Sequence, residues 1–227
     1  MARESQAGYF AGPVTIADAK GPRDLRNQIW TGKENCELPA IVETQARSVL
    51  LIEKLNIFKR LVEDQFHTKN GCFLACGDGY PTKACRRLLR QLHERLQVPF
   101  YVLADNDPAG YLFFFLMARG AARVQGTQKK AMAIPNAFFL GIRAGDAPRL
   151  GIGKSVQIGL CDAEIKQLNR LKESPWLRSN FQWQQEINEL LTRESKLEVE
   201  ALCSISTSFL SHSYLPEKLQ AGGHLSL

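Results

Sequence analysis

The sequence predicts an α/β fold, a mostly parallel sheet with helices on both faces, and two observations carry that expectation. Short apolar runs of strand length recur between stretches whose apolar residues fall at helical spacing. Their order is strand, helix, strand, helix, strand, helix, strand, and the strands are apolar throughout, as strands covered on both faces are. Composition agrees: of 227 residues, 44% are hydrophobic and 23% charged, which excludes disordered, collagen-like and disulfide-scaffold classes.

Residues 1–46 form a linker-like N-terminal segment. Gly8, Gly12, Pro13, Gly21, Pro22 and Gly32 break every long period there, so loops and short strands are expected. The core is expected over 47–145. Ser48-Val-Leu-Leu-Ile52 reads as a buried strand. Lys54 to Phe66 reads as a helix, with Leu55, Phe58, Leu61, Val62 and Phe66 on one face. Gly71-Cys-Phe-Leu-Ala75 is the second strand, Thr82 to Leu96 the next helix, and Pro99 to Ala104 the third strand. Pro108 to Ala118 reads as a buried helix and Ala137 to Ile142 as a fourth strand. From 146 to 219 a helical C-terminal elaboration of the same domain is expected, with helices over Asp162–Lys172 and Trp183–Leu202. Residues 220–227 read as a frayed tail.

Some functions are excluded or weakened early. The most apolar stretch, Tyr111 to Ala118, is far shorter than the roughly 20 residues that span a bilayer, so no membrane segment is expected. No apolar run follows Met1-Ala-Arg-Glu-Ser, so no secretory signal is expected, and Cys36, Cys72, Cys76, Cys85, Cys161 and Cys203 read as reduced thiols. Cys72 and Cys76 have no second Cys/His pair nearby, so they read as small core residues rather than zinc ligands. Leu150-Gly-Ile-Gly-Lys-Ser155 resembles a phosphate loop, but Pro148 stands where that loop needs glycine, so ATP binding is not expected. His67, His93, His212 and His224 form no recognisable ligand set. The net charge of +6, from 29 Lys+Arg against 23 Asp+Glu, permits a polyanionic partner without requiring one.

Candidate chemistry sits where strands end. Ligands of doubly wound sheets bind at the carboxyl ends of strands. Glu53 directly follows the first predicted strand, and Asp105 and Asp107 follow the third. Alternate residues of an extended chain face the same way, so Asp105 and Asp107 can share a crevice. Carboxylates gathered there suit Mg²⁺. The structural alternative is ordinary: Asp107 before Pro108 is a common helix start, and Glu53 fits the first turn of a helix. Cys76-Gly-Asp-Gly-Tyr-Pro81 precedes a helix bearing Lys83, Arg86, Arg87, Arg90 and Arg95. The turn can hold a phosphate and the cations a nucleic-acid backbone, or both are a plain turn and a solvated face.

Val49-Leu-Leu-Ile-Glu-Lys54, Phe58-Lys-Arg-Leu-Val62, Gly77-Asp-Gly-Tyr-Pro81 with Arg86-Arg87, and Val102-Leu-Ala-Asp-Asn-Asp-Pro-Ala-Gly110 stand in the order and spacing of a Toprim domain. The chain resembles the Toprim part of the topoisomerase VI A-type chain and of its relative, the eukaryotic meiotic double-strand-break protein. Gly8-Tyr-Phe-Ala-Gly12 and Leu38-Pro39 resemble the family's linker. Phe139-Leu-Gly-Ile142, Pro175-Trp176, Trp183 to Ala201 and Tyr214-Leu-Pro-Glu-Lys218 resemble its C-terminal region.

The resemblance implies that Glu53 binds metal and acts in acid/base steps and that Asp105 and Asp107 hold Mg²⁺. Lys83, Arg86, Arg87 and Arg90 are expected, from their charge, to be the residues that contact double-stranded DNA. Ala109 departs from the larger, often aromatic residue common there. The family cuts DNA with a tyrosine on a winged-helix domain upstream of Toprim. Tyr9, Tyr80, Tyr101, Tyr111 and Tyr214 lack that context, so no nucleophile is expected within this sequence. The implied partners are DNA, a tyrosine-bearing winged-helix chain, a second copy as homodimer and an ATPase of the B type. The implied location is cytoplasmic or nucleoid in a prokaryote and nuclear in a eukaryote. Two alternatives stay open: a non-catalytic DNA- or partner-binding module, and a stand-alone Toprim nuclease using metal-activated water.

Overall fold

The computed structural model describes residues 6–18, 21–33, 39–120, 132–222 and 224–227. Cys36 and Leu38, singled out above, lie outside them. The chain divides into two compact units, Met1–Val102 with Phe115–Ala137, and Leu103–Phe114 with Phe138–Leu227. The division does not follow the predicted boundary at residue 145. The loop after the third predicted strand bridges to Leu197, so residues 103–114 go with the C-terminal half.

The fold is α/β, as predicted, and the core of the first unit's sheet is parallel. Its strands are β1 (Gln6–Ala11), β2 (Val14–Asp18), β3 (Gly21–Asp24), β4 (Trp30–Lys33), β5 (Ala40–Thr44), β6 (Ser48–Ile52), β7 (Cys72–Cys76) and β8 (Phe100–Leu103, which ends at the unit boundary). They run β4-β1-β7-β6-β8 in the main sheet, while β3-β2-β5 make a second sheet. β6 and β7 are parallel, from Ser48 opposite Cys72 to Ile52 opposite Cys76. Every residue of both is buried, which is why neither alternates. β1 pairs antiparallel with β7 and with β4. The N-terminal segment, where loops and short strands are expected, thus supplies two strands to the sheet, β4 at its edge and β1 between β4 and β7.

The predicted helix over 54–66 is two helices, α1 (Leu55–Glu63) and α2 (Phe66–Asn70). Gln65 between them is left-handed at φ 55°, which turns Phe66 and His67 inward. α3 (Lys83–Leu96) starts at Thr82, whose hydroxyl accepts the Cys85 N–H at 3.1 Å, and it buries Cys85, Leu88, Leu89, Leu92 and Leu96. Cys72, Cys76 and Cys85 are buried, and burial pushes each thiol up to about 12, so they behave as core residues.

α4 (Pro108–Arg119) follows β8. In the second unit, β9 (Ala137–Phe139, whose first residue closes the other unit) ends earlier than the predicted Ile142. Beyond it the Ile142 N–H donates to the Ala104 carbonyl instead. α5 (Asp146–Arg149), β10 (Ile158–Gly159), α6 (Asp162–Lys172), α7 (Phe181–Arg193), β11 (Ser195–Lys196) and α8 (Leu215–Ala221) follow, with 3-10 helices over Lys154–Val156 and Val199–Ser204 and a π-helix over Leu210–Tyr214. The predicted helix to Leu202 stops at Arg193, because Glu194 is left-handed at φ 53°. Beyond it Leu197 is buried, and the 3-10 helix over Val199–Ser204 buries Val199 and Leu202. Trp183 anchors this unit's core, its ring 5.2 Å from Tyr111, 5.3 Å from Phe114 and 5.4 Å from Phe139. Such aromatic pairs add about 0.5–1.5 kcal/mol each beyond the area they bury. The tail is docked rather than frayed: Leu225 and Phe139 exchange two backbone hydrogen bonds, and Leu225 is buried. Among the described residues, no helix is long and apolar enough to cross a membrane.

Candidate functional site

Glu53 stands at the carboxyl end of β6. Chain order runs from β6 out to β7 and then back across β6 to β8, so the strand order reverses beside β6, the position at which such sheets bind ligands. The residue is half-buried. Its carbonyl accepts the Gly79 N–H at 2.9 Å, and the Cys76 thiol points at the same oxygen from 3.8 Å. The Asp78 N–H in turn donates to the Cys76 sulfur at 3.3 Å. Gly77 to Pro81 is therefore a brace for the Glu53 backbone, and its amides at 78 and 79 are spent inside the protein rather than offered to a phosphate. Gly79 has φ 91°, a conformation that only glycine adopts without strain.

Asp105 and Asp107 lie on one loop of the second unit, and each has a structural bond. Asp105 is 6% exposed, and its Oδ1 accepts the Val199 N–H at 2.8 Å. Asp107 caps α4: its Oδ1 accepts the Gly110 N–H at 2.7 Å, with Pro108 in the first helical position. Gly110 explains the end of the motif, since a Cβ there would lie 2.4 Å from the Asp105 carbonyl oxygen. The helix-start alternative for Asp107 is thus realised, and it leaves the second carboxylate oxygen to other use.

Asn106, between them, is the residue that sequence reasoning passed over. It is 2% exposed, and its amide donates to the Tyr111 hydroxyl at 2.6 Å and to Glu186 Oε1 at 3.3 Å. Glu186 of α7 is also 2% exposed and accepts from the Tyr111 hydroxyl at 2.9 Å, the Ala144 N–H at 2.7 Å and the Arg143 guanidinium. Burial, and then the Glu186 carboxylate, push the Tyr111 phenol well above its usual range and keep it a donor. Glu186 was readable: Trp183, Glu186, Ile187 and Leu190 fall on one helical face, and that face is the buried one.

A second carboxylate, Asp146, organises the neighbouring residues. It accepts from the Tyr214 hydroxyl at 2.6 Å, Lys218 at 3.0 Å, the Arg143 N–H at 2.8 Å and the Arg149 guanidinium at 2.8 Å. Burial alone would raise its pKa, but Lys218, Tyr214, the Arg143 amide and Arg149 outweigh it and hold the carboxyl below 3.8. Burial lowers Lys218 to about 8 even beside Asp146. Arg143, Asp146, Arg149, Glu189, Glu217 and Lys218 line an open cavity of about 390 Å³.

The basic helix α3 is less uniform than its sequence. Lys83 and Arg87 are exposed. Arg90 is tied to Glu94 at 2.8 Å and to the Ala133 carbonyl at 2.9 Å. Arg86 is 5% exposed, and its Nε and Nη1 have no hydrogen-bond partner among the described residues. Burial pulls its pKa below the ordinary arginine value.

Among the described residues, no three His, Cys, Asp or Glu side chains gather into a group that could hold an ion. Asp105 and Asp107 share a loop, and Glu53 belongs to the other unit. The donor chemistry nevertheless fits a hard divalent cation. All three are carboxylates, and an aspartate that accepts an N–H keeps further lone pairs for a metal.

Residues 48–219 match the Toprim-domain family of the topoisomerase 6 A subunit/Spo11. The A subunit of type 2 DNA topoisomerase 6 from Saccharolobus shibatae is 34% identical over 192 residues, covering 81% of this chain and 49% of the relative. The A3 subunit of DNA topoisomerase 6 from Oryza sativa subsp. indica is 29% identical over 219 residues, covering 95% and 49%. Meiotic recombination protein SPO11-1 of the same plant is 31% identical over 185 residues, covering 81% and 48%. The chain spans about half the length of the curated relatives it matches. With the match spanning residues 48–219, most of the chain, the chain belongs by its Toprim domain to the family of the topoisomerase 6 A subunit/Spo11.

Proposed function

We propose that the chain is the Mg²⁺-binding Toprim part of a type IIB DNA topoisomerase A-subunit-like protein. It assists cleavage and rejoining of double-stranded DNA, with the attacking tyrosine supplied by a winged-helix segment outside these 227 residues. The observation that carries this is the family match over residues 48–219, a range that includes all three strand-end carboxylates. Glu53, Asp105 and Asp107 would hold the ion. When bound, it would supply charge neutralisation at the scissile phosphate. Glu53, braced through its carbonyl by Gly79, is the group for acid/base work. Lys83 and Arg87 are the outward cations suited to the phosphate backbone, and Arg86 and Arg90 complete the basic helix. The working partners are DNA, a second copy and an ATPase of the B type, at the nucleoid or in the nucleus.

One observation favours a second reading, a non-catalytic DNA- or partner-binding module: both aspartates already serve the fold. Mg²⁺ titration calorimetry and salt-dependent DNA binding separate the two. The proposed role requires Mg²⁺ uptake that Asp105→Asn with Asp107→Asn abolishes. It also requires loss of cleavage by Glu53→Gln in the complex reconstituted with the tyrosine-bearing and B-type chains. DNA binding that ignores Mg²⁺ and survives both aspartate changes would establish the module. Cleavage by the chain alone with divalent metal would point instead to a stand-alone nuclease.

A further inference from the structure

We infer that Glu186 is a positioning residue for the Asp105-Asn106-Asp107 loop, gripping Asn106 so that the two flanking carboxylates are set for a divalent cation. The inference rests on the proposed metal role of those aspartates.

The buried face of α7 is otherwise apolar, with Trp183, Ile187 and Leu190. A leucine would fill position 186 without the cost of desolvating a carboxylate, and Arg143 is the cation bonded to it. What the carboxylate gains is a hold on both sides of the loop. Asn106 lies between the aspartates and gives its amide to Glu186 Oε1. Tyr111, one turn into α4 from Asp107, gives its hydroxyl to the same oxygen. The Tyr111 N–H also bonds the Asp107 carbonyl, so the phenol and the cap move as one piece.

Two further bonds tie the loop to the segment after α7. The Asn106 N–H donates to the Leu197 carbonyl at 2.9 Å, and Asp105 accepts the Val199 N–H. A ligand carboxylate is aimed by its backbone and by what its remaining lone pairs bond. Fixing the residue between two ligands fixes the peptide planes on either side of it. Groups one shell out from a metal act in this way, and their loss typically lowers affinity about 10–100-fold. Glu186 also bonds the Ala144 N–H and Arg143, which holds the loop and the segment after β9 in one fixed set.

The test titrates the full chain with Mn²⁺ alone, followed by loss of the free-ion paramagnetic resonance signal. Thermal unfolding and amide hydrogen exchange are measured on the same samples. Asp107→Asn, which keeps a capping side chain, tests the metal reading and is expected to lose Mn²⁺ uptake. Glu186→Ala and Asn106→Ala are each expected to weaken uptake about tenfold and to speed exchange at the Asn106 amide. Their double variant is expected to be no weaker than either. Glu186→Gln keeps an oxygen for Asn106, Tyr111 and Ala144, and is expected to stay close to the wild-type affinity.

A folded Glu186→Ala that takes up Mn²⁺ like wild type, while Asp107→Asn does not, overturns the positioning role and leaves the metal reading standing. Glu186→Gln falling as far as Glu186→Ala overturns it too, since the effect then follows charge rather than grip. No Mn²⁺ uptake by wild type, or unchanged uptake in Asp107→Asn, removes the metal reading and this role with it. If Glu186→Ala does not fold, Asn106→Ala carries the same comparison, because it leaves the other bonds to Glu186 in place.

Discussion

The two units bury different things. Among the described residues the first buries Ser48, His67 and Arg86 as its polar members, inside a mass of aliphatic strands and thiols. The second buries Asp105, Asn106, Asp146, Glu186, Ser211 and Lys218. The first is stabilised mainly by apolar area removed from water. The second has its loops knotted to two carboxylates, Glu186 and Asp146, each with four donors. Apolar packing tolerates volume-conserving exchange, whereas a buried charge network fails when one member goes. The units should therefore break in different ways.

The largest effect is expected in the second unit. Lys218→Met strips a cation from Asp146 in a buried pair and should cost about 3–5 kcal/mol, measured by urea unfolding. A loss under about 1 kcal/mol would mean that Tyr214 and Arg149 suffice and that the contrast between units is weak. Next comes the first unit, where Leu74→Ala in fully buried β7 should cost about 3 kcal/mol, while Leu74→Met stays below about 1.5. Gly79→Ala should cost about 1–2 kcal/mol through its positive φ, with open space around the new methyl, and should disturb Glu53 before it disturbs the sheet. Thr82→Ala, losing the cap of α3, should cost about 1 kcal/mol.

The mildest test is acid. Asp146 is held below 3.8 when folded, so the unfolded chain takes up that proton first as pH falls. Its contribution is complete above 3.8 and is lost as pH drops from there towards the folded value. Asp146→Asn should flatten that limb of the stability curve, while a first-unit change such as Leu74→Ala should lower the whole curve without changing its slope.

The same contrast explains what could be read from residues alone. β6 from Ser48 to Ile52 and α6 from Asp162 to Lys172 match expectation to the residue, because an unbroken apolar run marks the strand, helical spacing marks the helix, and local signals end both. α3 matches to within its cap. The split between α1 and α2, and the end of α7, turn on left-handed Gln65 and Glu194, which no periodicity announces. Glu53, Asp105 and Asp107 stood out by their places at strand ends. The grip on their loop did not, because its partners lie far along the chain: Glu186 is 80 residues from Asn106, and Val199 is 94 from Asp105. Helix α3 misled in the opposite direction. Its cations look alike in sequence, yet Arg86 is buried and Arg87 is not.

Asp107 closes α4 with one oxygen, and that small bond sets a rule for how the position can drift over evolutionary time. A lineage that gave up metal chemistry would still need an acceptor at the head of that helix, and Asn, Ser or Thr would serve about equally well. Selection for folding alone would let those letters exchange. Selection for a cation would not, since none of them carries the charge. The letter kept at this site among descendants thus records which of its two duties was under selection.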